Sequence, residues 1–182
     1  AMAFGTKIIR SFHDMENPVT DIVKKFNSMR KTGFEIPKIA FMPHSLKDVL
    51  AVFKQAESLK NSQQILCAMG PLGLPTRLLS EKLNSFLTYT SPSELLGNLL
   101  EIGHTDPFTL NNVYRYRKIN ENTKIFGITG FPLKVTSSPE LHNSNFENSN
   151  MNAVYIPLKS ESIDDAMDFA KQLNIKGFAD TI

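Results

Sequence analysis

The chain has 182 residues, of which 41% are hydrophobic and 21% charged, proportions typical of a soluble globular protein with one large or two small domains. A net charge of only +2 argues against general nucleic-acid binding. No apolar run reaches the length of a membrane helix and no secretory signal is recognisable, so neither nucleic acid nor membrane is an expected partner. The lone cysteine, Cys67, lies inside a strand-like run and reads as a small buried hydrophobe in a reduced, cytoplasmic setting. Charge is unevenly spread: residues 1–118 hold 15 Lys and Arg against 10 Asp and Glu, and residues 119–182 hold 5 against 8. A mildly basic first part suits a small carboxylate substrate, and a solvated surface explains it equally well.

In chain order, Lys7 to Phe12 reads as a strand ending in His13-Asp14. Asn17-Pro18 is a helix start, followed by Val19, Ile22, Val23, Phe26 and Met29 at helical spacing and a stop at Gly33. Glu35 to Pro43 is short, apolar and closed by proline, a buried strand of an α/β fold. Ser45 caps a second helix with Leu46, Val49, Leu50, Phe53 and Leu59 as its stripe. A third strand covers Gln64 to Met69, the loop from Gly70 to Pro75 leads to a short helix from Thr76, and Phe86 to Tyr89 reads as a fourth strand. The alternation predicts a parallel sheet. Residues 90–108 carry a cap at Ser91 to Glu94 and several leucines interrupted by Gly97 and Gly103. Thr109 to Ile119 reads as a helix whose alternating Tyr114, Arg115, Tyr116 and Arg117 form a packed face and a solvated face. Asn120 to Thr123 is a polar linker. Beyond it come a strand over Lys124 to Gly130, a helix from Thr136-Ser137-Ser138-Pro139 through Phe146, a strand over Ala153 to Leu158, a helix from Ile163 to Leu173, and a final segment from Gly177. Glycines Gly127 and Gly130 mark a close backbone approach. They do not form a dinucleotide fingerprint, which needs a third glycine and a later acidic ribose partner.

Lys38 stands in the middle of its strand, with Ala40 and Met42 on its face and Ile39 and Phe41 on the other. An isolated ammonium there is costly, so the lysine must be paired, lose its proton or snorkel to water. A desolvated lysine of lowered pKa forms Schiff bases with ketones. The run Ser-Phe-His-Asp ending at Asp14, then Pro37 to Pro43, then Ala68 to Arg77 resembles the second half of type I 3-dehydroquinate dehydratase over residues 7 to 118. That family is a (β/α)8 barrel and a Schiff-base lyase of the shikimate pathway. The resemblance implies that Lys38 forms the imine, that His13 is the general acid/base, that Arg77 holds the substrate carboxylate, and that no cofactor is needed.

The later residues Gly127, Gly130, Pro132, Thr136, Ser138, Pro139, His142 and Asn143, with Asn152 to Tyr155 and Gly177 to Ile182, resemble the start of shikimate dehydrogenase. This implies substrate contacts from Thr136, Ser138 and Thr181, with NADP used only where the family's dinucleotide-binding domain is present. Dehydratase followed by dehydrogenase is the order of the fused bifunctional enzyme of plants and some bacteria, which adds a plastid to the cytoplasm as an expected location.

The expected architecture is therefore α/β: the last four βα units of a TIM barrel over residues 1–119, then an incomplete substrate-binding segment of shikimate dehydrogenase type over 120–182. The first half of the barrel is not recognisable, and Gly103 to Pro107 stands where the family has a Ser-Ala-Pro-Gly-Gln loop. Ala179 and Asp180 replace the family's asparagine and valine before Thr181, and the catalytic lysine that follows in the family is not reached. Since eight strands are needed to close such a barrel, self-association or pairing with the other half-barrel is expected. The expected ligands are small anions, 3-dehydroquinate and shikimate. Two alternatives stand beside this reading: an inactive interaction or scaffold module of the same origin, and another Schiff-base lyase or aldolase.

Overall fold

The computed structural model describes residues 4–59, 62–95, 103–133 and 136–181. It contains two three-stranded parallel sheets. The first joins β1 (Ile8–Asp14), β2 (Glu35–Phe41) and β3 (Ile65–Ala68) in sequential order, with α1 (Ile22–Met29) and α2 (Leu46–Ala56) as crossovers. Ile39, Phe41, Leu66 and Ala68 pack with Ile22, Phe26, Val49 and Phe53 of the helices. Each strand lies beside the next and both helices cover one face, the winding of a barrel wall.

Ser45 caps α2 through a capping box with Asp48, the expected cap. The first helix starts later than Asn17 implies: Asp21 is its cap, accepting from the Lys24 N–H at 2.8 Å. Asp14 causes the delay, because its carboxylate takes the backbone N–H groups of Glu16 and Asn17 and bends the chain there.

Residues 86–89 do not form the expected fourth strand; among the described residues, a Gln64–Ser85 bridge is all that extends the sheet beyond β3. The reason lies on the outer edge of β3. A strand there would bond the N–H groups of Leu66 and Ala68, and both are already taken, by the Ser85 hydroxyl at 3.1 Å and the Thr76 hydroxyl at 2.9 Å. After β3 come a 3₁₀ turn at Pro71–Gly73 and α3 (Leu74–Leu78). Of the leucine run expected after Ser91, residues 96–100 lie outside the described residues. The expected helix from Thr109 to Ile119 is broken into a π-turn at Thr109–Val113 and a 3₁₀ turn at Tyr116–Lys118. Tertiary bonds override the helical pattern: Arg115, at φ 51, donates to the Ala153 carbonyl at 2.8 Å, and the Tyr116 hydroxyl lies 2.6 Å from Ser80 Oγ.

The second sheet has the order β5 (Ala153–Lys159), β4 (Lys124–Gly130), β6 (Gly177–Thr181). The chain leaves β4 through α4 (Ser138–Asn148) to one side and returns through α5 (Ile163–Gln172) to the other. That reversal is a topological switch point, where open α/β sheets bind ligands beyond the strand ends. The two sheets share one core, in which Phe53 of α2 meets Phe169 of α5 edge to face at 5.5 Å between centroids.

Candidate active site

The face of the first sheet away from its helices carries the reactive groups. Register pairs Ser11 with Lys38 and His13 with Ala40, so His13 and Lys38 share a face, two residues apart along neighbouring strands. Strand spacing puts their Cα atoms about 8 Å apart. Around Lys38 lie Ile36, Ala40, Ile65, Cys67 and Met69, all buried, with Met42, Leu87 and Tyr89 packed on them. Lys38 is neither isolated nor simply solvated: it is half-buried, with Nζ 4.4 Å from the centroid of the Tyr89 ring, a cation–π contact.

His13 is exposed at the C-terminal end of β1. Partial burial, and then the charge of Lys38, hold its pKa below the ordinary 6.5. Arg77 is buried in α3, beyond the end of β3. Burial pushes the Cys67 thiol up, against the pull of the Arg77 and Lys38 charges, so Cys67 is the small buried hydrophobe its run suggests. The sequence reading missed three members of this neighbourhood. Tyr89 sat in the strand that does not form, while Ser91 and His104 flank the leucine-rich segment. His104 is half-buried and its pKa is lowered by burial, then by Arg77 and Lys38.

Thr136 and Ser138 meet at the start of α4, where the Thr136 hydroxyl donates to Ser138 Oγ at 2.9 Å and accepts from the Ser138 N–H at 3.2 Å. Ser137 occupies the cap position of α4 without a side-chain bond. Thr181 ends β6, in register with Gly130 at the end of β4. A Cβ on Gly130 would meet the Thr181 carbonyl oxygen at 2.2 Å, and one on Gly127 would meet that of Ile156 at 2.6 Å. Both glycines thus serve strand-to-strand approach and offer no cradle for a dinucleotide.

A profile of the type I 3-dehydroquinase family matches residues 1–121. The chain belongs to the type I 3-dehydroquinase family. Residues 128–182 match the substrate binding domain of shikimate dehydrogenase. A chloroplastic bifunctional 3-dehydroquinate dehydratase/shikimate dehydrogenase of Arabidopsis thaliana is 29% identical over 178 residues, covering 97% of this chain and 29% of the relative. A shikimate biosynthesis protein of Chlamydia pneumoniae is 31% identical over 150 residues, covering 82% and 30%. The chain thus spans about three-tenths of the length of these two relatives. Among solved structures, the 3-dehydroquinate dehydratase of Aquifex aeolicus aligns with a TM-score of 0.53 at 26% identity, covering 64% of this chain and 50% of that one. The likeness to a dehydroquinase agrees with the barrel-wall winding of the first sheet.

Proposed function

We propose that this chain dehydrates 3-dehydroquinate to 3-dehydroshikimate through an imine on Lys38, a shikimate-pathway lyase activity. The observation that carries the reading is the register that sets His13 beside Lys38 on the face of the first sheet opposite α1 and α2. The Lys38 amine attacks the substrate ketone, and the resulting imine draws electrons from the adjacent carbon, which eases loss of its proton. Attack requires the neutral amine, so a neighbouring group must accept the proton that the addition releases. His13, its pKa held below the ordinary value, is a neutral base near pH 7 and serves imine formation, proton abstraction and loss of water in turn. Arg77 binds the substrate carboxylate as a bidentate pair. The dehydration uses no cofactor.

Residues 120–182 are read as a second unit in which Thr136, Ser138 and Thr181 bind shikimate at the switch point. NADP would belong to a dinucleotide-binding part of a dehydrogenase. Residues 124–130 do not fit it, and no step runs through it here. Among the described residues nothing pairs with the outer edge of β1, where Ile8 and Ile9 are close to half exposed; such an edge is of the kind that recruits another strand. We assign it to a second copy of the chain, and sedimentation at micromolar concentration as a monomer would remove that assignment.

Borohydride trapping with 3-dehydroquinate, read by intact mass and peptide mapping, tests the central proposal. A reduced adduct on Lys38 is expected. Absence of an adduct would favour a scaffold module, and an adduct only with other keto acids would favour an aldolase.

A further inference from the structure

His104 belongs to no step described so far, yet it is held toward the site by a clamped loop. Gly103, at φ 76, approaches the end of β3 so closely that a Cβ would meet the Gly70 carbonyl oxygen at 2.2 Å. Two residues on, the Thr105 carbonyl accepts from the Ser91 N–H at 3.2 Å. Ser91 is itself buried, and its hydroxyl hydrogen-bonds Nδ1 of His104. The loop therefore lies against the strand end from which the chain runs on to Arg77. The charges of Arg77 and Lys38 both reach the ring. His13 approaches Lys38 from β1, and His104 comes from the β3 side.

Resting on the dehydratase reading above, we infer that His104 is a substrate-binding residue whose Nε2–H donates to the same carboxylate that Arg77 grips. With the Ser91 hydroxyl as donor in its bond to Nδ1, the neutral ring carries its proton on Nε2. Burial, and then the neighbouring cations, hold the ring's pKa below the ordinary 6.5, so it binds as a neutral hydrogen-bond donor without adding a third charge. The cations also make this end of the site the place where an anionic oxygen settles. Ser91 is a positioning residue that acts through the ring.

The test compares wild type with His104→Ala, His104→Gln and Ser91→Ala. The readout is the concentration of 3-dehydroquinate, and of its carboxamide, that gives half-maximal borohydride trapping. For the acid, His104→Ala is expected to raise that concentration about tenfold while leaving the saturating yield unchanged, as befits a lost hydrogen bond to a charged group. His104→Gln, whose amide still donates, is expected to recover most of the loss, and Ser91→Ala to fall between. With the carboxamide the four proteins should titrate alike. Equal titration of wild type and His104→Ala by the acid overturns the inference, as do equal losses on acid and amide. No adduct in wild type would remove the dehydratase reading and this inference with it, an outcome distinct from one in which wild type traps and the variants match it. If His104→Ala loses its far-ultraviolet dichroism, the glutamine and Ser91 variants carry the comparison.

Discussion

The two sheets are built from the same parallel unit and treat their polar groups in opposite ways. In the first, one face is sealed by α1 and α2, while the other holds Lys38 and His13 among apolar neighbours. In the second, both faces are apolar: Ile125, Val154 and Ile156 join the shared core, and Ile128 and Tyr155 pack beneath Phe146 of α4. The hydroxyls of Thr136, Ser138 and Thr181 stand at its rim. The edges differ as well. Among the described residues β1 is open, but β5 is closed by the buried side chain of Asn143, which accepts from the Tyr155 N–H at 2.7 Å and donates to its carbonyl at 2.9 Å. Winding explains the contrast. Sequential strands put both helices on one side and leave the other free for chemistry, whereas a reversal puts helices on both sides and leaves only the strand ends.

The most direct way to break this comparison is Lys38→Ala. If the free face exists for chemistry, the variant loses Schiff-base trapping and turnover by roughly a thousandfold or more. Its melting temperature should stay close to wild type, because a half-buried lysine at a cation–π contact contributes about 1 kcal/mol or less. Retained turnover would show that the polar face is incidental.

A second substitution asks whether two sheets so differently built still fold as one body. Phe169 is fully buried and meets Phe53 across the shared core, so Phe169→Ala should cost about 3–5 kcal/mol. Thermal unfolding followed by calorimetry should show a single transition moved downward. Two separated transitions would mean that the sheets unfold independently.

Asn143→Ala sharpens the contrast between the edges. It would leave two backbone groups of Tyr155 buried without partners, at a cost of about 3 kcal/mol. Urea titration measures this directly. A loss under 1 kcal/mol would mean that water closes the β5 edge as well as the amide does.

How much of this was legible in the sequence depended on whether the deciding contact was local. β2, β4 and the capped start of α2 were readable because proline, glycine and Ser45 mark their limits within a few residues. That His13 and Lys38 serve one site was implied only by the resemblance in motif order; the register that puts them on one face is a long-range property that the sequence does not announce. The failures share another cause. A fourth strand at 86–89 was refused by the hydroxyls of Thr76 and Ser85, and the helix at 109–119 was broken by bonds from Arg115 and Tyr116 to distant partners. His104 was placed near the family's loop but given no role, because its link to Ser91 spans 13 positions with no periodic pattern to announce it.

The smallest effect concerns a polar cluster of the first sheet that serves structure alone. Glu35 opens β2 and is buried; its carboxylate accepts from the Thr32 N–H at 2.9 Å and from the Thr32 hydroxyl at 3.0 Å, with Arg10 at 3.4 Å. The Thr32 N–H above all, with help from the strand's own backbone, the Thr32 hydroxyl and the Arg10 charge, holds the carboxyl down to about 2, from an ordinary 4.5. A carboxyl depressed in the folded state contributes stability that is full above its unfolded pKa and fades as pH falls through the folded one. The contribution should therefore be intact at pH 6, weaken below about 4.5 and be gone near pH 2. Glu35→Gln removes the titration, so the gap in urea midpoint between wild type and variant should be widest near neutrality and close toward pH 2. A gap independent of pH would assign the loss to altered packing instead. A gap that widens on acidification would mean that the carboxyl is raised in the fold, against the hydrogen bonds drawn here.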